Sequence, residues 1–271
     1  MYRTLSALAA ACIAAATLPV AAQTPTEVTL TRLDCGTVNP AVAVNQRFSD
    51  TYDLGGLKLD FVFSCYLVKH GDEYLLWDTG HSMSATQAAK TSLPDQLAQL
   101  HLKPEQINYV GISHYHGDHT GQAGSFPKST LLIGKGDWDA ISAAKPAPGV
   151  NAAAFGSWIS GGGKVEPIAT DLDVFKDGTV VMLYTPGHTP GHHSLLVKLP
   201  QTGAVLLSGD LAHFRENYEA NGVPTFNADR SQTLASLERF KKIAANLKAT
   251  VVIQHDARDV TKLPAFPAAA K

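Results

Sequence analysis

The chain has 271 residues, 45% of them hydrophobic and 17% charged, which is enough apolar material for one large core or two small ones. Its formal net charge is -2 at pH 7. No basic run interrupts the sequence, so an electrostatic footprint for nucleic acid is excluded.

Met1 to Thr4 carry one positive charge, Leu5 to Val20 are apolar, and Ala21-Ala22-Gln23 supply small residues at a cut site. This is the pattern of a secretory signal over residues 1–22, cleaved after Ala22, followed by one domain over 23–271. An uncleaved anchor is the alternative, but the run falls short of the roughly 20 residues that span a bilayer comfortably. The expectation is a periplasmic or secreted protein with no stable membrane association once the signal is cut. Cys12 lies inside the apolar run, where a lipidation site would be misplaced. Cys35 and Cys65 remain, and an oxidising compartment allows them a disulfide; two buried thiols are the other reading.

Val28 to Val38 forms an imperfect strand, and Asn39 to Gly56 reads as irregular. Leu57 to Val68 and Tyr74 to Gly80 alternate around His70-Gly71-Asp72 and predict a hairpin. Asp78 ends its second strand, where it can accept a hydrogen bond from a ligand histidine or serve as a simple turn aspartate. His81 to Leu102, with alanine, glutamine and leucine, predicts helix broken at Pro94. Tyr109 to Ile112 then forms a buried strand that runs into Ser113-His114-Tyr115-His116-Gly117-Asp118-His119-Thr120-Gly121.

That loop packs three imidazoles and a carboxylate into six positions at a strand end. His114 and His116 can turn toward one point while Asp118 and His119 turn toward a second, so the loop can ligate two metal ions. Neutral imidazole with carboxylate suits zinc or a similar divalent ion, and a metal pair can activate water at neutral pH.

Ser129 to Ile133 predicts a short strand and Gly136 to Ala144 a short helix. Lys145 to Gly163 reads as a long irregular excursion, whose Phe155 and Trp158 either line a pocket or pin the loop to the core. Thr179 to Tyr184 is a strand that delivers the proline- and glycine-rich turn holding His188. Ser194 to Leu199 and Ala204 to Leu207 form another hairpin, ending at Asp210. Leu234, Leu237, Phe240, Ile243 and Leu247 recur at helical spacing and make Ser231 to Leu247 an amphipathic helix, capped by Asp229 or Ser231. Thr250 to Gln254 is a strand with His255 at its end. The tail from Leu263, rich in proline and alanine, is expected to fray.

Five strand ends thus carry polar groups of ligand type. One metal can take His114, His116 and His188, a second can take Asp118, His119 and His255, and Asp210 can bridge them. Three or four protein ligands per ion leave an open position, which marks a catalytic zinc site rather than a structural one.

The HisXHisXAspHis loop followed by a strand-end histidine, aspartate and histidine resembles the metallo-β-lactamase superfamily over about residues 30 to 258. The resemblance implies an α+β fold, an αβ/βα sandwich of two β-sheets with outer helices and the metals at one edge. Leu76-Trp77-Asp78-Thr79-Gly80, the His188 turn, Ser208-Gly209-Asp210, Arg215-Glu216-Asn217 and Gln254-His255-Asp256 resemble the quorum-quenching N-acyl-homoserine lactonases. That likeness implies a metal-dependent hydrolase that opens the lactone ring by attack of a metal-bridging hydroxide, with two divalent ions, zinc foremost, and Asp118 shuttling the proton. The implied partner is a small-molecule lactone; a homodimer is compatible with the likeness. Several such lactonases carry tyrosine three positions after the bridging aspartate, where this chain has His213. Either His213 or nearby Tyr218 is then expected beside the substrate carbonyl. Phe126, Phe155, Trp158, Phe214 and the stretch Phe48 to Leu54 are the apolar candidates for an acyl tail.

A secreted organophosphate hydrolase similar to the methyl-parathion enzymes shares both the ligand set and the signal and is the runner-up. A class B β-lactamase lacks an aspartate at the place of Asp210. A glyoxalase II-like thioesterase usually carries a helical C-terminal extension, whereas this sequence ends soon after His255. A non-catalytic metal-binding or redox protein is the alternative from another class; flavodiiron relatives have glutamate where His116 stands and need a flavin domain.

Overall fold

The computed structural model describes residues 26–45, 47–146 and 149–271; the expected signal segment, 1–22, lies outside them. The first half of the chain builds one sheet. Its strands are β1 (Val28–Ala43), β2 (Lys58–His70) and β3 (Glu73–Trp77), then helix α1 (Leu93–Gln99), β4 (Tyr109–Ile112), the short helix α2 (Gly117–Thr120), β5 (Thr130–Gly134), α3 (Lys135–Ser142), α4 (Gly156–Ile159) and β6 (Val165–Ile168). The second half supplies β7 (Leu172–Asp173), β8 (Val180–Tyr184), β9 (His193–Leu199) and β10 (Gly203–Leu207), then α5 (Arg215–Ala220), α6 (Arg230–Leu247) and β11 (Thr250–Val252).

Strand order is β1-β2-β3-β4-β5-β6 in the first sheet and β11-β10-β9-β8-β7 in the second. The strands alternate between two apolar faces, which forces a layered solution. Tyr66, Val68, Leu75 and Trp77 of the first sheet meet Met182, Leu195, Val197 and Leu207 of the second in the central core. The opposite face of the first sheet, with Leu67, Leu76, Val110 and Ile133, is covered by Leu93 and Leu97 of α1, Ile141 of α3 and Trp158 of α4. The outer face of the second sheet, with Leu183, Leu196 and Leu206, is covered by Leu237, Phe240 and Ala244 of α6. Each such side chain contributes roughly 1.5–3 kcal/mol by leaving water.

Two parallel junctions position the site. The β3/β4 ladder pairs Trp77 with Gly111, and the β10/β11 ladder pairs Leu207 with Val252, so each pair of carboxyl ends finishes side by side. Parallel neighbours that end together project their next residues into one crevice, where ligands bind in sheets of this kind. The sheets meet at that crevice through His193 N–H, which donates to the Ser113 carbonyl at 2.8 Å.

Several sequence expectations are corrected here. Residues 81–92 form turns rather than helix. Pro94 falls in the first turn of α1, where its missing N–H costs nothing, and the Ser92 hydroxyl accepts from Asp95 N–H as the cap. The excursion from Lys145 is not wholly irregular: it holds a turn of 3-10 helix at Ala152–Phe155 and then α4. The tail does not fray, because Ala270 pairs with Leu30 in both directions of the backbone and is buried. Asp229 is the residue that caps α6, its carboxylate accepting from Gln232 N–H at 2.9 Å. Cys35 on β1 and Cys65 on β2 are joined as a disulfide, Cα atoms 5.9 Å apart, which sets aside two free thiols. Among the described residues no helix is long and apolar enough to cross a membrane.

Candidate metal centre

The residues that follow β4, β8, β10 and β11 converge into two donor groups. His114, His116, His188 and Asp210 form the first; Asp118, His119, Asp210 and His255 form the second, with the donor atoms of each within 4.8 Å of one another. Every metal-ligating residue expected from sequence is therefore brought together, and Asp210 belongs to both groups. Its Oδ2 lies 3.5 Å from His114 Nε2 and 3.3 Å from His188 Nε2, while its Oδ1 lies 3.1 Å from His119 Nε2 and 2.8 Å from His255 Nε2. One carboxylate oxygen is turned toward each group.

Inside the first group His116 Nδ1 stands 2.9 Å from His114 Nε2 and 3.0 Å from His188 Nε2. Inside the second, His119 Nε2 stands 3.2 Å from His255 Nε2 and 3.5 Å from Asp118 Oδ2. Donors around a tetrahedral zinc with bonds of about 2.0–2.1 Å are roughly 3.3 Å apart, so these spacings fit an ion at the centre of each group. The outward nitrogens agree. His119 Nδ1 donates to Asp78 Oδ2, His188 Nδ1 to Asn227 Oδ1 and His255 Nδ1 to the Val62 carbonyl, each at 2.8 Å. A ring whose outer nitrogen carries the proton presents a lone pair inward. Lone pairs facing each other at this range repel unless a cation lies between them, and buried Asp210 Oδ1 has no hydrogen-bond partner among the described residues.

The electrostatics divide the two groups. Burial, reinforced by the neighbouring His119, pushes the His114 imidazole well below its ordinary pKa; burial and His188 push His116 down to about 4. Burial also opposes charge on His119, yet the carboxylates of Asp210, Asp78 and Asp118 outweigh it and, unless a cation lies between the groups, hold this ring well above the ordinary value, so the site favours positive charge where an ion would sit. The Asp210 carboxyl is held well below its usual range, against its burial, by His255, His119 and His213.

Asp78 settles as the orienting group rather than a turn residue. It takes φ 57°, a left-handed conformation that an aspartate tolerates better than most residues. From there its Oδ1 accepts from Ser113 N–H at 2.7 Å, and its Oδ2 accepts from His119 and, at 2.7 Å, from the Gln254 side-chain amide. Gln254 thereby ties the β11 end to the β3 end. His192, which sequence reasoning passed over, accepts the Asp210 backbone N–H on Nε2 at 2.9 Å and donates from Nδ1 to the Thr185 carbonyl at 3.0 Å. Asn227 was missed for the same reason: a lone polar side chain far from its partner in sequence carries no local pattern.

The groups lie at the floor of a cleft of about 960 Å³. Val38, Val42, Phe48, Phe61, Phe63 and Phe226 supply its apolar walls, and His81, Asp118, Asp210 and His213 also face it. His213 stacks on His255, centroids 5.5 Å apart and planes at 17°, with Nε2 3.1 Å from Asp210 Oδ2. Burial lowers its pKa to about 4 even beside that carboxylate.

Tyr218 is not brought to the cleft. It sits on the far side of α5 against Phe240, with the Lys241 amine 4.9 Å from its ring. Of the apolar candidates for a tail, Phe48 reaches the cleft, whereas Phe126, Phe155 and Trp158 are buried in the outer core of the first sheet. Phe155 is 0% and Trp158 3% exposed, and Trp158 Nε1 donates to the Ser129 carbonyl. These two pin the excursion. Phe214 packs edge-on beneath Phe48 without facing the cleft. The Arg215-Glu216-Asn217 stretch acts at a distance: Arg215 pairs with Asp259, Glu216 with Arg258, and Asn217 holds the Phe48 carbonyl at 2.6 Å.

Comparison with known proteins agrees with this arrangement. The N-acyl homoserine lactonase AttM of Rhizobium radiobacter is 33% identical over 177 residues, which are 60% of this chain and 63% of that protein, so the match spans less than two thirds of the relative. The N-acyl homoserine lactonase of Bacillus cereus is 30% identical over 227 residues, 75% of this chain and 84% of its own. A crystal structure of a quorum-quenching N-acyl homoserine lactone lactonase superposes with TM-score 0.77 at 25% identity, covering 91% of this chain and 99% of that one. The model of the metallo-beta-lactamase superfamily matches residues 61–255, a span that contains both donor groups entire, and the chain belongs to that superfamily.

Proposed function

We propose that the protein hydrolyses the lactone ring of N-acyl-homoserine lactones with two zinc ions. His114, His116 and His188 hold one ion, Asp118, His119 and His255 hold the other, and Asp210 lies between. The observation that carries this reading is the shared Asp210 at the floor of an apolar cleft, one oxygen toward each donor group. The lactonase names of the relatives support the substrate class. Zinc is the ion preferred by this mixture of imidazole and carboxylate.

When bound, such a pair of ions polarises the substrate carbonyl and lowers the pKa of a water toward neutrality. The chain's own residues do the rest. Asp118, whose side chain is 22% exposed while the histidines around it are buried, is the carboxylate able to exchange a proton with solvent and carry it to the departing ring oxygen. His213, where several such lactonases carry tyrosine, is the group placed to meet the acyl carbonyl: its ring lines the cleft and its Nε2 lies 3.1 Å from Asp210 Oδ2. Phe48, Phe61 and Phe226 receive the acyl tail.

Purified, metal-loaded protein should release acid from a long-chain N-acyl-homoserine lactone and leave methyl parathion and a β-lactam largely intact. Turnover of methyl parathion alone would replace the lactonase reading with the phosphotriesterase one. The tail assignment has its own check. Phe226→Ala, at a side chain 40% exposed, is expected to raise KM several-fold for a decanoyl lactone and little for a butanoyl one. Trp158→Ala should instead cost about 3–5 kcal/mol of stability and leave the chain-length preference as it was.

Export to the periplasm or beyond is part of the same proposal. The signal pattern over residues 1–22 supports it, and so does the Cys35–Cys65 disulfide, a bond that persists in oxidising compartments. A mature N-terminus other than Gln23, found by sequencing the exported protein, would move the cut; a wholly intracellular protein would end the idea.

A further inference from the structure

The cleft contains an imidazole that neither donor group uses. His81 follows Asp78-Thr79-Gly80, and its backbone is fastened to the ligand loop: Gly121 N–H donates to the Gly80 carbonyl at 2.6 Å and the Gln122 side-chain amide to the His81 carbonyl at 3.2 Å. A Cβ on Gly121 would collide with the Ser82 amide, so only glycine lets the two segments lie this close. The ring is therefore presented from a fixed backbone.

That ring lies edge-on to Phe63, centroids 4.4 Å apart, and Phe63 also meets His255, centroids 5.3 Å apart. His81 is thus one aromatic ring away from the second donor group, on the cleft wall that also carries Asp118. Among the described residues its carbonyl is bonded while neither ring nitrogen has a partner. Burial, aided by His119 and His255 and opposed by Asp118, keeps the imidazole below its ordinary pKa, so near neutrality it offers one N–H. A structural ring serving only to cover Phe63 could equally be phenylalanine.

We propose that His81 donates a hydrogen bond to the oxygen that leaves the acyl carbon when the ester bond of the substrate breaks. The inference rests on the ester-hydrolysis reading above. Ring opening consumes one water: its oxygen bonds to the acyl carbon, the ring C–O bond breaks, and one of its protons passes by way of Asp118 to the departing oxygen. His81 transfers no proton. It holds that oxygen while negative charge develops on it, as a donor set in place beforehand does most effectively.

The test compares the holoenzyme with His81→Phe, which keeps the packing on Phe63, and His81→Gln, which keeps an N–H. Substrates are N-hexanoyl-homoserine lactone, whose alkoxide is a poor leaving group, and p-nitrophenyl acetate, whose phenolate leaves unaided. His81→Phe should lower kcat on the lactone roughly tenfold, change the aryl ester less than about twofold, and be partly rescued by His81→Gln. Calorimetry should show the ring-opened N-hexanoyl-homoserine binding several-fold more weakly to His81→Phe at two metals per chain. An equal loss on both esters, or unchanged lactone kinetics, overturns the assignment. The two readings fail separately. Lactone turnover that His81→Phe leaves intact removes His81 alone, whereas a wild type that cleaves aryl and alkyl acetates with His81-dependent sensitivity to the leaving group, but no lactone, removes the lactone alone. A wild type that cleaves no ester sinks both.

Discussion

Asp210→Ala should cut kcat/KM by at least about a thousandfold, some 4 kcal/mol of transition-state stabilisation, and bring the bound metal from two per chain to one or fewer. The carboxylate is 3% exposed and, among the described residues, is the only anion that belongs to both donor groups. Without it, His114, His188, His119, His255 and His213 face a buried space with no negative charge at its centre, and two divalent ions there would repel each other unscreened. Asp210→Asn separates charge from shape. The amide keeps the volume and the backbone N–H bond to His192, so the fold should melt within a few degrees of wild type while metal affinity still falls. Metal analysis after gel filtration, alongside lactone turnover, reads both effects. Two metals retained by Asp210→Ala with full turnover would remove the bridging role.

How far the sequence carried this result depends on how local each signal is. His114 to His119 lie in one loop, and His188, Asp210 and His255 each follow a strand whose apolar run is plain, so the donor set was legible residue by residue. The hairpin of β2 and β3 was legible from its two apolar runs around the His70-Gly71-Asp72 turn, and α6 from a periodicity that reports its buried face. What misled was composition without context. Residues 81–92 contain helix-forming alanine and glutamine, but the close approach of residues 80–82 to Gly121 fixes their backbone in turns. β1 runs on to Ala43, past the Val38 at which the sequence pattern stops, because register shifts between Asp34 and Gly36 and between Val38 and Val42 break the alternation that marks a strand. Tyr218 is near His213 in sequence, but α5 turns it to the opposite side; for Phe155 and Trp158 the sequence leaves pocket and core equally open, because their burial partners, such as Ser129, come from elsewhere. The cleft walls were the least legible part. Phe61 and Phe63 sit on a strand whose inward and outward residues are both apolar, and only the assembled sheets show which of them line open space.

Asp78→Ala is expected to have the second largest effect, and to act by misplacing groups rather than by removing a ligand. Asp78 is 0% exposed and accepts four hydrogen bonds: from Ser113 N–H, from Ser113 Oγ at 2.9 Å, from His119 Nδ1 and from Gln254 Nε2. Truncation leaves those donors in a space too dry to replace the acceptor, at about 1–3 kcal/mol for each one that finds no partner. A loss near 4 kcal/mol overall is therefore expected in the metal-free protein, read as a fall in denaturant midpoint. The loss should also be uneven between the two donor groups. His119 depends on Asp78 directly for its tautomer, whereas His114 reaches it only through the Ser113 hydroxyl, His188 depends on Asn227 and His116 on neither, so the second group should lose roughly 10- to 100-fold in affinity and the first less. Titrating the variant with zinc should give one near-normal and one weakened binding step. Asp78→Asn sharpens the distinction: it preserves volume, but its NH₂ must face either the Ser113 N–H or the other three donors, so it should rescue part of the stability and little of the second step. Equal weakening of both steps would mean that Asp78 supports the fold of the crevice in general and does not set His119 in particular.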